Sequence, residues 1–143
     1  MSLIIASYDW RPDTIAVAVG THFLPNLDVA LIKAKLVKED FHCSITHTLL
    51  FAIIVSLLFL PFSRRLALIA FISLITHYIA DLGSTIGQKL FWPISQKKFT
   101  LALWEDTGYW GKSMWIGYYR QKGAWIAEGL VFAFLIYRFI VIF

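Results

Sequence analysis

The apolar residues of this chain come in long unbroken blocks, and that arrangement limits what it can fold into more than any motif does. From Ile45 to Phe62 there is no Lys, Arg, Asp or Glu, and from Gly123 to Phe143 only Glu128 and Arg138 carry charge. A surface helix of a soluble domain would show one apolar stripe instead. Runs of about 17–25 apolar residues are what a helix needs to cross a bilayer. Hydrophobic residues make up 59% of the 143 and charged ones only 15%, which excludes an ordinary soluble domain. The length fits one domain over residues 1–143.

The pattern predicts an all-α integral membrane bundle of about four helices, crossing at Thr14–Ile32, Thr46–Pro61, Leu66–Asp81 and Gly123–Phe143. The first segment holds His22, Pro25, Asn26 and Asp28 near its middle, so it is expected to be kinked or re-entrant. Backbone freed at such a break has to be satisfied by protein or by a wet cavity. Pro61 through Arg65 reads as a tight turn between antiparallel helices. Gly83 to Gly87 reads as the bend where the chain leaves the third helix, and Phe91-Trp92-Pro93-Ile94 as a stop to regular structure. From Lys97 to Lys122 the chain interleaves charges with Trp104, Tyr109, Trp110, Trp115, Tyr118 and Tyr119, the composition of a cover lying at the membrane–water interface.

Net charge is +4, and its distribution matters more than its size. On the predicted crossings Lys33, Lys35, Lys38, Lys89, Lys97, Lys98, Lys112, Arg120 and Lys122 share one side, whereas Arg11, Arg64 and Arg65 lie on the other with Arg138 near them. Basic loops face the cytoplasm. The expected location is therefore an inner or plasma membrane, with the basic side inward and in reach of acidic lipid. Met1 to Ser7 is too short and lacks the basic flank of a cleavable signal, so none is expected. The single cysteine, Cys43, makes no disulfide framework, and its setting among small polar residues reads as packing or hydrogen bonding rather than catalysis.

Against this apolar background the ionisable residues stand out. Such groups within membrane segments are costly and tend to face a bundle interior or a wet cavity for function. His77 and Asp81 are four apart and share a helix face. His42 and His47 are five apart and converge only if His42 lies in a lead-in loop and His47 in the first turn, with Ser44 or Thr46 as cap. Asp28 follows the break at Pro25. The crossings bring Asp28, His42, His47 and Asp81 to the same membrane face, and imidazole with carboxylate is a donor set for divalent metal. His22 reads as a packed histidine. Glu128, near the start of the last segment, reads as an additional carboxylate or, as the alternative, a snorkelling interfacial acid.

These residues form blocks that resemble the inner-membrane metal-dependent hydrolases whose founding member is a LexA-regulated protein. Leu24-Pro25-Asn26-Leu27-Asp28 is similar to their Leu-Pro-Asp-x-Asp signature, and His42 to Thr48 to their His-Arg-Gly-x-Thr-His-Ser block. Thr76-His77 through Asp81, with Thr85 and Gly87 following, resembles their Ser-His-x-x-x-Asp block, and Leu90-Phe91-Trp92-Pro93 their Leu-x-x-Pro element. The likeness covers about Gly20 to Leu101. Two positions depart: Asn26 stands where the family has its first acid, and Cys43-Ser44 where it has Arg-Gly. Many members also begin with an apolar helix bearing a histidine, which this sequence does not contain.

The resemblance implies a hydrolase-type site carried onto Asp28, His42, His47, His77 and Asp81. The expectation is thus a membrane-bound metal-dependent hydrolase acting on an ester or phosphoester of a lipid-derived or membrane-proximal substrate. Zinc is the preferred ion, Asp28, His42, His47, His77 and Asp81 are its candidate ligands, and His77 and Asp81 are the catalytic candidates. The alternative is a small membrane subunit of the same fold without the chemistry, binding a larger protein through residues 97–122. Nucleic acid is not an expected partner.

Overall fold

The computed structural model describes residues 1–38, 41–108 and 112–142 and is helical throughout, with two isolated bridges and no extended strand among the described residues. A short α1 (Ser2–Ala6) precedes α2 (Pro12–Phe23), which continues through a 3-10 turn (Leu24–Asn26) into α3 (Leu27–Lys33). A second 3-10 turn (Ile45–His47) leads into α4 (Leu49–Phe59), followed by α5 (Arg64–Asp81), α6 (Lys112–Tyr119) and α7 (Lys122–Ile142).

The break predicted in the first segment is present, as a tightening to 3-10 geometry at Pro25 rather than a gap. The tight turn at 60–63 is also present. Ser63 accepts the backbone N–H of Leu66 at 3.4 Å and starts α5. The cap of α4 differs from expectation: Thr48, not Ser44 or Thr46, accepts the Phe51 N–H at 3.0 Å. The reason is the intervening 3-10 turn, which delays the α-helix until Leu49.

Among the described residues two helices, not four, are long and apolar enough to cross a bilayer: Pro12–Lys33, with mean hydropathy 1.6, and Lys122–Ile142, with mean hydropathy 2.0. At 1.5 Å per residue, α7 is about 31 Å long, α4 only about 16 Å, and α5 about 27 Å. Pro61 and the 3-10 entry shorten α4, and α5 begins two residues before the expected Leu66 and so takes in Arg64 and Arg65 besides Asp81. These two instead form a hairpin packed on α2, with α5 central.

Small residues let the helices approach. Thr14, Ala18 and Thr21 are the buried face of α2, opposite Ala67, Ala70 and Ser73 of α5. The Ser73 hydroxyl donates to the Ala18 carbonyl at 2.6 Å, an interhelical bond of the kind that replaces hydrophobic drive inside lipid. The apolar core holds Ala52, Val55, Leu74 and Tyr78. Large apolar side chains point outward instead: Ile53, Ile54, Leu57 and Leu58 on α4, and Ile126, Leu130, Phe132 and Ile140 on α7. Small and polar inside, large and apolar outside is what a lipid solvent selects and water would not.

Helix α7 runs antiparallel to α5. Near its start, Gly123 lies against the Leu103 carbonyl beside the segment that leaves Asp81. Near its end, Arg138 donates to the Ser7 carbonyl at 3.1 Å and sits over the Tyr8 ring at 3.9 Å. The 97–108 stretch of the expected interfacial cover is irregular and pairs with residues 82–88, and the rest is α6 and the start of α7. Tyr109 and Trp110 lie outside the described residues, as does Phe143 of the predicted last crossing.

Candidate metal centre

The end of α5, the 41–47 turn and the start of α3 meet at one end of the bundle. His77 and Asp81 are one helical turn apart, and His77 Nε2 is 3.1 Å from Asp81 Oδ2. His47, fully buried at the end of its 3-10 turn, places its own Nε2 3.0 Å from the same oxygen and 3.4 Å from His77 Nε2. Two imidazole nitrogens and one carboxylate oxygen thus form a triangle with edges of 3.0, 3.1 and 3.4 Å. For metal–nitrogen and metal–oxygen bonds near 2.0–2.1 Å in tetrahedral geometry, the donor–donor edge is about 3.3 Å.

Asp28 stands behind this triangle. The 3-10 turn at Pro25 swings it inward, where its side chain is fully buried. Its Oδ2 accepts the Cys43 backbone N–H at 3.2 Å and the Thr46 hydroxyl at 3.2 Å, and lies 3.1 Å from His42 Nδ1 and 3.4 Å from His47 Nδ1. Its Oδ1 has no hydrogen-bond partner among the described residues. An ionised carboxylate only accepts, so Thr46 gives its one proton to Asp28. The Thr46 oxygen, 3.0 Å from His47 Nδ1, is then left to accept from that ring.

This wiring suits the tautomer with the His47 proton on Nδ1, in which the Nε2 lone pair would be directed toward the side of the ring where Asp81 and His77 lie. A carboxylate or hydroxyl holding the far nitrogen of an imidazole is the usual way a metal-binding histidine is oriented. The donor set, the triangle edges and the unpartnered Asp28 oxygen all fit a small divalent cation. The residues that could hold it are His47, His77 and Asp81, with one side open where the Asp81 side chain keeps 32% of its exposure.

All five expected site residues are brought together, but not in equal roles. His42 turns Nδ1 to Asp28 and lines the cavity beside Asp81, rather than joining the triangle. Asp28 orients two imidazoles. Cys43 is buried and, though not glycine, takes a φ of 55°, which puts its N–H on Asp28. Its sulfur is within 4.8 Å of the nearest His47 nitrogen and Asp81 oxygen, and burial pushes its thiol pKa up. Glu128, expected as an additional carboxylate, instead accepts the Tyr119 hydroxyl at 2.9 Å on the cavity wall.

Two participants carried weak signals in the sequence. Thr46 was read only as a cap, although a threonine directly before a histidine is well placed to hold its Nδ1. His22 was read as a packed residue, and its ring meets His77 edge-on with centroids 5.0 Å apart while its Nδ1 lies 3.4 Å from the Ser73 carbonyl. All four histidines of the chain therefore form one string, His22, His77, His47 and His42.

Behind the cluster the scaffold is braced from several sides. The Tyr78 hydroxyl donates to the Thr46 carbonyl at 2.9 Å, and the buried Gln88 amide to the Tyr78 carbonyl at 2.7 Å. Leu49 N–H donates to the Leu90 carbonyl at 2.9 Å, tying the 88–90 segment to the start of α4. Gly83 lets the Trp104 indole lie on the chain just past Asp81; a Cβ there would come within 2.1 Å of the ring.

Fold and site together define a small all-helical membrane protein with a buried histidine–aspartate cluster at one end of its bundle. The chain belongs to the YdjM inner membrane protein family, whose model matches residues 2–143. Comparison with curated proteins and with solved structures found no match.

Proposed function

We propose that this protein is a membrane-bound metal-dependent hydrolase. The observation that carries the reading is the convergence of His47 Nε2, His77 Nε2 and Asp81 Oδ2, 3.0 to 3.4 Å from one another. Three protein ligands with one open position are the pattern of catalytic rather than structural zinc sites, so zinc is the preferred ion. When bound, such an ion supplies Lewis-acid activation of water and polarisation of an ester or phosphoester oxygen.

The chain's own residues then divide the remaining work. Asp28 and Thr46 fix the His47 ring so that Nε2, not Nδ1, faces the open side. His77 and Asp81 hold the other two corners, one turn apart on a helix that is rigid because it is packed on both α2 and α4. His42, oriented by Asp28 and lining the cavity, is the group placed to move a proton to or from a substrate beside Asp81. The 3-10 turn and the apolar core behind the cluster exclude water from its inner side. The basic loops support a site that faces the cytoplasm, and a site at the membrane surface favours a lipid-derived or membrane-proximal substrate.

Metal analysis of the purified full chain tests this. The wild type should bind about one zinc per chain, and Asp81→Ala and His47→Ala should each lower affinity by more than about 100-fold. Stoichiometric zinc persisting in both variants overturns the reading. Absence of metal from the wild type, with a stable co-purifying partner bound through residues 97–122, selects the subunit alternative.

A further inference from the structure

A cavity of about 1100 Å³ runs from Asp81, His42 and Cys43 along the gap between the end of α5, the 101–108 segment and α7. Its two ends differ in chemistry. On one flank Ile79, Leu101, Val131, Phe132 and Leu135 present an apolar surface that continues into the lipid-facing side of α7. Around the mouth lie Asp81, Glu105, Asp106 and Glu128, and no lysine or arginine lines the cavity among the described residues.

Aromatic faces accompany those acids. Trp104 and Tyr118 meet edge to face with centroids 6.0 Å apart, Trp125 donates to the Tyr119 carbonyl at 2.6 Å, and Tyr119 donates to Glu128. Burial, and then the nearby Glu128 carboxylate, push the Tyr118 phenol pKa up to about 12, so that ring stays neutral. Carboxylates beside tryptophan and tyrosine faces attract an ammonium by charge and by the ring quadrupole, and repel an anion.

We infer that the cavity takes a zwitterionic phospholipid, with its acyl chain along α7, its phosphodiester toward Asp81 and its ammonium among Trp104, Tyr118 and Glu128. The cavity makes the site; the carboxylates decide the sign of the charge it accepts. This assignment rests on the hydrolase reading for the cation that would face the phosphodiester beside Asp81 and for what happens to the lipid; the preference set at the ammonium end does not depend on it. An anionic headgroup would bring its extra charge against three further carboxylates, with no lysine or arginine among the described residues that line the cavity.

The test uses the full chain in a nonionic detergent, with and without zinc, and short-chain phosphatidylethanolamine and phosphatidylglycerol of equal acyl length as probes, each below its micelle concentration. Titration calorimetry should show the ethanolamine lipid binding at least about tenfold tighter than the glycerol lipid. Asp106→Asn combined with Glu128→Gln should reduce that preference to less than about twofold, with zinc stoichiometry unchanged. Gly129→Phe adds a ring on a cavity-lining position that has open space around it, and should weaken both lipids about equally. Equal affinity for the two lipids, a preference for the anionic one, or a preference that survives the double variant overturns the proposal. Zinc-free protein should keep the lipid preference, so failure of the metal reading and failure of this one are read separately.

Discussion

The two ends of α5 handle buried charge in opposite ways. At its start, Arg65 reaches back to α2: Nη1 donates to Asp9 and to the Thr14 hydroxyl, and Nη2 pairs with Asp13 at 2.5 Å. Arg11 adds a contact to Asp13 at 3.4 Å. Acids and guanidinium groups there neutralise one another with donors and acceptors matched. At the far end, Asp28 and Asp81 also sit among partners, and among the described residues these include imidazoles, a hydroxyl and a backbone N–H. Asp28 Oδ1 stays without a hydrogen-bond partner among the described residues. A self-neutralising end is a fastener. On the metal-site reading proposed above, the other end takes its cation from outside the chain.

That contrast breaks most sharply at the ligand triangle. His77→Ala should abolish stoichiometric zinc binding in equilibrium dialysis while Arg65→Met leaves it within about twofold of wild type; equal losses would show that both ends only hold the bundle together. Asp28→Asn keeps the shape of the carboxylate and removes its charge. It should cost about 10–100-fold in zinc affinity through the misoriented His47 ring, with Thr46→Val at the lower end of that range. Unchanged affinity in both would place Asp28 outside the metal's influence.

At the fastener the expected effects are on stability. Arg65→Met should lower the thermal midpoint by a few degrees in a scanning-fluorescence melt, with zinc still raising the midpoint of the variant. The smallest effect concerns pH. The Thr14 hydroxyl, aided by the Arg65 guanidinium, holds the Asp9 carboxyl below its ordinary range. A depressed acid contributes stability that is present above its unfolded value near 4 and is lost as pH falls through the folded one. Melts of zinc-free wild type should therefore lose stability below about pH 4, and Arg65→Met should flatten that slope. An equal slope in the variant would assign the acid sensitivity elsewhere.

Much of the candidate site was legible because chemistry and spacing agreed. His77 and Asp81 at i and i+4 had to share a face, and Asp28 after the break at Pro25 had to lie at a segment end. Local backbone geometry was harder to read. The 3-10 turn over Ile45–His47 carries the chain from His42 to His47, and neighbouring residues do not announce a turn that only tertiary contacts with Leu90 and Asp28 hold in place. The number of crossings was overread for a related reason. Apolar composition over Ile45–Phe62 is continuous, but α4 occupies only 11 residues of it.

The chain's order of residues already determined a helical membrane protein, because apolar blocks of bilayer length have few other ways to satisfy their backbone. It also determined which side chains were available to bind a cation. Tertiary structure decided how they divide the work: which nitrogen of His47 points at Asp81, that Asp28 stands behind the triangle, and that Glu128 faces a cavity and not the imidazoles. Those outcomes depend on hydrogen-bond directions and helix approach across residues 14 to 51 positions apart, distances over which local spacing carries no information.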